Sequence, residues 1–249
     1  ESNADSAISL LSMINRDTLA NENLKHYYDL LKIRTNDKAY IAHTSDSAIL
    51  SVINYFENHD FYNLLPVAYY YGGRVYSDLG DAPQALEYFQ KALNCENINS
   101  RFEIVAYSQM AGIYHKQKVY DLAIPTYKKA IELNAKNNNT LGIIYNTRSM
   151  GDVYSKLNNS DSAIILYNNA VTLAQKEKYT TLASSINLSL AELHLFNHEY
   201  SKAYYHLNSM KNFIPKEDSI SEANTYALLY YQLNNIDSIF EQIADLKEK

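Results

Sequence analysis

The stretch VAYYYGGRVYSDLGDAPQALEYFQKAL, residues 67–93, reads as one helix, a tight turn and a second helix. Small residues fall where two helices must touch: Gly73, Ala85 and Ala92. Large ones fall around them: Tyr69, Tyr76 and Phe89. Leu79-Gly80-Asp81 separates the two periodic runs and carries the residues that stop a helix and start the next. Gly72 and Gly73 sit inside the first run, so they serve close packing and do not form a phosphate-binding loop.

The second half of this unit recurs along the chain. An acidic or hydroxyl residue, one further residue, then Ala and an apolar residue appear as Asp5-Ser-Ala7-Ile8, Asp46-Ser-Ala48-Ile49, Asp121-Leu-Ala123-Ile124, Asp161-Ser-Ala163-Ile164 and Ser201-Lys-Ala203-Tyr204. Pro83-Gln-Ala85-Leu86 fits with Pro in the first place, and Asp237-Ser-Ile239-Phe240 is a weaker last copy. Successive key positions are 41, 37, 38, 40, 40 and 36 residues apart. The residue two before the Ala suits a helix start, because its oxygen can accept from a free backbone N–H and Asp complements the dipole. Pro66, Asn99-Ser100, Thr140 and Thr180-Thr181 open the first helices of successive pairs. Pro125 lies early in its helix and Pro215 follows a helix end.

This organisation resembles the tetratricopeptide repeat, with a period of about 39 residues against the usual figure of about 34. The match runs aromatic, Leu-Gly, Tyr, Ala, Phe, Ala; Gly72 stands in the Leu place. The resemblance implies an all-α, right-handed α-solenoid of stacked antiparallel helix pairs. The expected array is one domain over residues 1–249, with a partial first repeat at 1–15, about six pairs, and a degenerate last pair at 219–249. Ser2 to Ile14 reads as a lone second helix, so the chain begins inside a repeat, as a processed or trimmed end would. One pair buries too little apolar surface to offset its chain entropy; stacking supplies the remainder.

Composition narrows the function. Net charge is −6 and no Lys/Arg run exists, which disfavours direct nucleic-acid binding. No apolar run is long enough to span a bilayer. Cys95 is alone, so a disulfide scaffold is excluded. Among the 24 Tyr, those at 76, 107, 114, 127, 154 and 167 match packing positions of the repeat.

The stripe left after packing should face a concave groove. It holds Tyr70, Arg74, Ser77 and Asp78, then Ser108, Gly112, His115 and Lys116. Tyr145, Arg148, Asp152 and Ser155 follow, then Leu188, Glu192 and Leu195, with Asp37 and Tyr40 from an earlier helix. The expected protein- or peptide-binding residues are Tyr40, Tyr70, Arg74, Asp78, His115, Tyr145, Arg148 and Asp152. Tyr offers large area at low entropy cost with a polar tip, which suits a binding face and equally an amphipathic solvent face. Arg74/Asp78 and Arg148/Asp152 have i,i+4 spacing, fitting either surface ion pairs or receipt of a peptide carboxylate.

Catalysis and metal binding find little support. His194-x-x-x-His198, near Glu192 and His206, has helical metal-pair spacing. But His194 takes a packing position and His198 lies in a turn, so no metal site is expected. No nucleophile elbow or phosphate loop is present. A non-enzymatic protein without cofactor is expected.

The segment His26 to Leu93 is also similar to Bacteroidetes-type tetratricopeptide-repeat proteins of the cell envelope. The carriers are HYYDLLKI at 26–33, DKAYIAHTSDSAI at 37–49 and AYYYGGRVYSDLGDAPQAL at 68–86. That resemblance implies a periplasmic or membrane-anchored chain, held by segments outside this sequence; a cytoplasmic chain remains the alternative. Some tetratricopeptide proteins hold chaperone tails with a Lys/Asn clamp. Tyr70, Arg74, Gln109, Tyr145 and Ser149 stand in its place, so that activity is not expected. Three functions remain: a binding scaffold for a protein or peptide, an extracytoplasmic sensor domain, and an oligomerisation module using Ser2–Ile14 and Ile220–Lys249.

Overall fold

A computed structural model of the chain describes residues 4–59, 61 and 63–209. Among the described residues there are eleven α helices, one 3-10 turn at Arg16–Thr18, and no strand. The helices are α1 Ala4–Ser12, α2 Glu22–Lys38, α3 Ser47–Asn58, α4 Leu65–Asp78, α5 Ala82–Leu93 and α6 Ser100–Lys116. Then come α7 Tyr120–Lys136, α8 Thr140–Lys156, α9 Ser160–Lys176, α10 Thr180–Phe196 and α11 Tyr200–Asn208. The fold is all-α and tetratricopeptide-like. Ser2, Pro215, the copy at Asp237–Phe240 and the final pair expected at 219–249 lie outside the described residues.

The chain divides into two compact units, residues 1–133 and residues 134–249. In the first, each of α1 to α5 packs on its successor, α6 closes on α5, and α4 also touches α2 and α6. In the second, α8 packs on α9, α9 on α10, and α10 on α11.

The small-against-large pattern sets the hairpin spacing. A Cβ on Gly73 would stand 2.6 Å from two ring carbons of Phe89, which is fully buried. A Cβ on Gly151 would stand 2.8 Å from the Tyr167 ring. Ala85, Ala123, Ala163 and Ala203 are each 0% exposed, so these four occupy the tight place the repeat assigns them. Ala48 differs: it is exposed, and Ile49 is buried in its stead. The eight-residue join of residues 39–46 ahead of α3 displaces the register there. Full burial of an aromatic such as Phe89 contributes about 1.5–3 kcal/mol.

The joins share one geometry. Helices α6 to α10 have 17 residues each and are separated by three. The middle residue of each three-residue join has positive φ: Gly80, Lys118, Asn138, Asn158, Lys178 and His198. The next residue donates its N–H back across the helix end, as in Asn159 to the Tyr154 carbonyl at 2.9 Å and Glu199 to the His194 carbonyl at 2.8 Å. This left-handed cap satisfies carbonyls that a helix end leaves orphaned. Three helix starts are capped one or two residues before the opening residue that the sequence pattern suggests, which is Pro83 for α5, Thr140 for α8 and Asp161 for α9. Asp81, Asn139 and Asn159 accept from Gln84, Gly142 and Ser162. Asp161 falls within the first turn, where it can act only on the dipole. Asp46 makes no cap bond and accepts the Tyr76 hydroxyl at 2.8 Å.

Candidate functional site

In the first unit, Arg74 on α4 joins three helices. Its Nε donates to Asp37 Oδ1 of α2 at 2.7 Å, and its Nη1 donates to Gln109 Oε1 of α6 at 3.0 Å. Asp78, the i,i+4 partner suggested by spacing, is 4.0 Å away. Asp78 is held instead by the join before α3: its Oδ2 accepts the His43 backbone N–H at 3.0 Å and lies 2.7 Å from His43 Nδ1. The Arg74 and Asp37 side chains are 23% and 14% exposed, so their pair is more shielded than a surface pair. Burial opposes the Arg74 charge, and the Asp37 carboxylate more than offsets this, holding the guanidinium above its ordinary value.

The other expected residues of this unit differ in setting. Tyr70 is 7% exposed, its ring centroid 5.6 Å from Phe89 and 5.3 Å from Phe102. It belongs to the core because Phe102 of α6 covers it. Burial drives its hydroxyl well above the usual tyrosine range. Tyr40 is 97% exposed but lies beyond the end of α2, at φ 57°, off any helix stripe. His115 is half-buried in the last turn of α6, 6.2 Å from the Tyr120 ring.

In the second unit, Tyr145, Arg148 and Asp152 share one face of α8 at spacings of three and four. Tyr145 is exposed. Asp152 accepts the Tyr167 hydroxyl at 2.6 Å, tying α8 to α9. Burial, aided by that carboxylate, raises the Tyr167 hydroxyl. Arg148 is half-buried, and its Nε is buried with no hydrogen-bond partner. A buried donor left unsatisfied costs about 1–3 kcal/mol.

Sequence reasoning missed a polar seam between α10 and α11. His194 Nδ1 lies 2.6 Å from Glu199 Oε2, and His206 Nδ1 lies 2.9 Å from Asn187 Oδ1. The two rings stack with centroids 5.4 Å apart. Burial, and then the neighbouring His194, lower His206 to about 4. Asn187 sits at a core position where the 40-residue spacing from Thr147 marks a polar column, the one signal that could have found it. His198 turns to the Tyr200 hydroxyl at 3.0 Å, away from His194. Among the described residues no group of three His, Cys, Asp or Glu side chains could hold a metal ion, and no helix is long and apolar enough to cross a membrane.

Comparison with known proteins agrees with this architecture. Tetratricopeptide-repeat family models match residues 102–176 and residues 68–96. No curated protein matches the chain at the level of sequence. Among solved structures, the apo form of RapI is similar at TM-score 0.79 and 13% identity, over 98% of this chain and 70% of its own. Kinesin light chain TPR-like repeats of Podosopora anserina align at TM-score 0.64 and 11% identity, over 78% of this chain and 96% of theirs. The Rap conjugation regulator of plasmid pLS20, solved with the Phr* peptide, aligns at 0.58 and 16% identity, over 94% of this chain and 69% of its own.

Proposed function

We propose that this chain, whose residues 68–96 and 102–176 are tetratricopeptide repeats, is a non-enzymatic scaffold that binds a peptide or protein segment. The observation that carries the reading is the buried Arg148 Nε without an acceptor, flanked on the same helix face by exposed Tyr145 and by Asp152. A backbone carbonyl or carboxylate of a bound segment would satisfy the donor, and Tyr145 would add apolar contact. Arg74, Asp78 and His115 form the corresponding face proposed for the first unit. Tyr70 would support that face from beneath. The pLS20 regulator, which shares the fold, was solved with a peptide, and this supports a polypeptide ligand. The likeness of residues 26–93 to envelope proteins supports a place in the cell envelope.

Selection from a displayed random-peptide library tests the reading. Enriched peptides should bind the parent chain and lose at least tenfold in affinity to Tyr145→Ala/Arg148→Gln, with helicity unchanged. Absence of enrichment, or equal affinity for the variant, would sink it.

A further inference from the structure

Helices α1 and α2 meet along a seam that their side chains leave partly empty. Ile8, Leu11 and Ser12 fall at spacings of three and four on α1, hence on one face. Tyr28, Lys32, Thr35 and Asn36 fall at the same spacings on α2. Together they line a cavity of about 120 Å³. Elsewhere in the array facing helices close up, as where Phe89 seats against Gly73 and Tyr167 against Gly151. Here no residue of α1 is buried, and Ile8 and Leu11 are only half-buried although both line the seam. Protein interiors hold few voids larger than a water molecule, so this gap departs from ordinary packing.

The lining chemistry selects what would fill it. Its three hydroxyls have spent their protons on backbone carbonyls. Tyr28 donates to Leu11 at 3.1 Å, Ser12 to Ser9 at 2.7 Å, and Thr35 to Leu31 at 2.7 Å. The donors left over are the Lys32 ammonium and the Asn36 side-chain amide, one turn apart on α2. Neither has a hydrogen-bond or ion-pair partner among the described residues. Asp29, the acid one turn before Lys32, is taken by Arg16 at 2.8 Å. Lys32 is exposed although it lines the cavity, so its stem walls the gap while its charge stays in water at the mouth.

We propose that this cavity binds a short aliphatic monocarboxylate. The tail fills the gap against Ile8, Leu11 and the Tyr28 ring, and the carboxylate meets Lys32 and Asn36. A carboxylate accepts from both donors and neutralises the cation, whereas an amine would be repelled by Lys32. An apolar cavity of about 150 Å³ takes benzene, so by proportion this one holds a tail of about five carbons. The acid is either a free small molecule or the last residue of a polypeptide, whose apolar side chain then serves as the tail. The site shares no residue with the peptide face on α8, so each stands or falls separately.

The test is an NMR titration of the full chain, read at the backbone amides of α1 and α2. The probes are isocaproate, its neutral amide, acetate, and the peptide Ala-Ala-Ala-Leu with a free or an amidated C-terminus. Saturable shifts on these two helices are expected with isocaproate. The amide and acetate should each bind about fivefold weaker or worse, one for want of charge and the other for want of a tail. The amidated peptide should bind more weakly than the free acid by the same reasoning. Lys32→Met keeps the stem, removes the charge and should weaken isocaproate about fivefold. Ser12→Phe puts a ring into the gap and should abolish binding. Lys32 is exposed, so Lys32→Met keeps the test valid if Ser12→Phe fails to fold. Tighter binding of the free-acid peptide than of isocaproate supports the site with a polypeptide ligand, and the reverse order supports it with a small molecule. Absence of saturable shifts on α1 and α2, equal affinity for acid and amide, or one constant for parent and folded variants overturns the proposal.

Discussion

Gly73→Ala and Gly112→Ala are the same chemical change in two helices of one compact unit, with opposite expected outcomes. Either substitution in a helix interior gains about 0.5–1 kcal/mol from reduced backbone entropy. At Gly112 nothing opposes it, because the nearest atom a Cβ would meet is the Tyr127 hydroxyl at 4.0 Å. At Gly73 the Cβ would meet Phe89 ring carbons at 2.6, 2.6 and 2.8 Å. Carbon pairs prefer about 3.5–4.0 Å, so a shift of roughly 1 Å is required. Phe89 is 0% exposed and has no free side to move toward. Overpacking of this kind costs about 1–3 kcal/mol, which exceeds the entropic gain. The expected result is net destabilisation of about 1–2 kcal/mol for Gly73→Ala and stabilisation of up to about 1 kcal/mol for Gly112→Ala. Urea unfolding followed by helical circular dichroism reads both as midpoint shifts at common slope. If Gly73→Ala proves as stable as Gly112→Ala, the packing argument for the hairpin is refuted.

Two further expectations follow from the caps and the polar seam. Lys178 holds φ 61°, a region costly for a residue with a Cβ, so Lys178→Gly should stabilise by about 1 kcal/mol in thermal unfolding; a loss of stability would count against the cap assignment. His206 is lowered from 6.5 to about 4 by burial and by His194, so the folded chain disfavours its proton. The unfolded chain takes up that proton first, so stability is fully present above pH ~6.5 and falls as pH drops toward ~4. After discounting for solvent screening, the loss is about 1–2 kcal/mol. It should be absent in His206→Gln when unfolding is measured across that window.

The helix pairs were legible because their signals are local. Gly73, Ala85, Phe89 and the Gly80 turn declare themselves by spacing, and each is found in its assigned role. The register slip at Ala48 was not legible, because a longer join moves the buried position by one residue without altering the motif. Nor was the partner of Arg74. Sequence offers Asp78 one turn away, while Asp37 stands 37 residues earlier; only the approach of α2 to α4 selects it. Tyr70 lay on the expected stripe, but whether a stripe faces solvent depends on which neighbour covers it, and here Phe102 does.

Lys118, Asn138, Asn158, Lys178 and His198 recur every 20 residues in one backbone state. Any two of these joints separated by one other enclose a block of 40 residues that begins and ends in the same left-handed step. Excising or duplicating such a block in the gene would rejoin a helix end to a helix start through a turn the chain already uses. Repeat number can therefore drift by recombination while the joints stay unchanged. Lineages carrying this array should differ in length by multiples of a hairpin more readily than by single helices, because an odd half-step would set two first helices in succession.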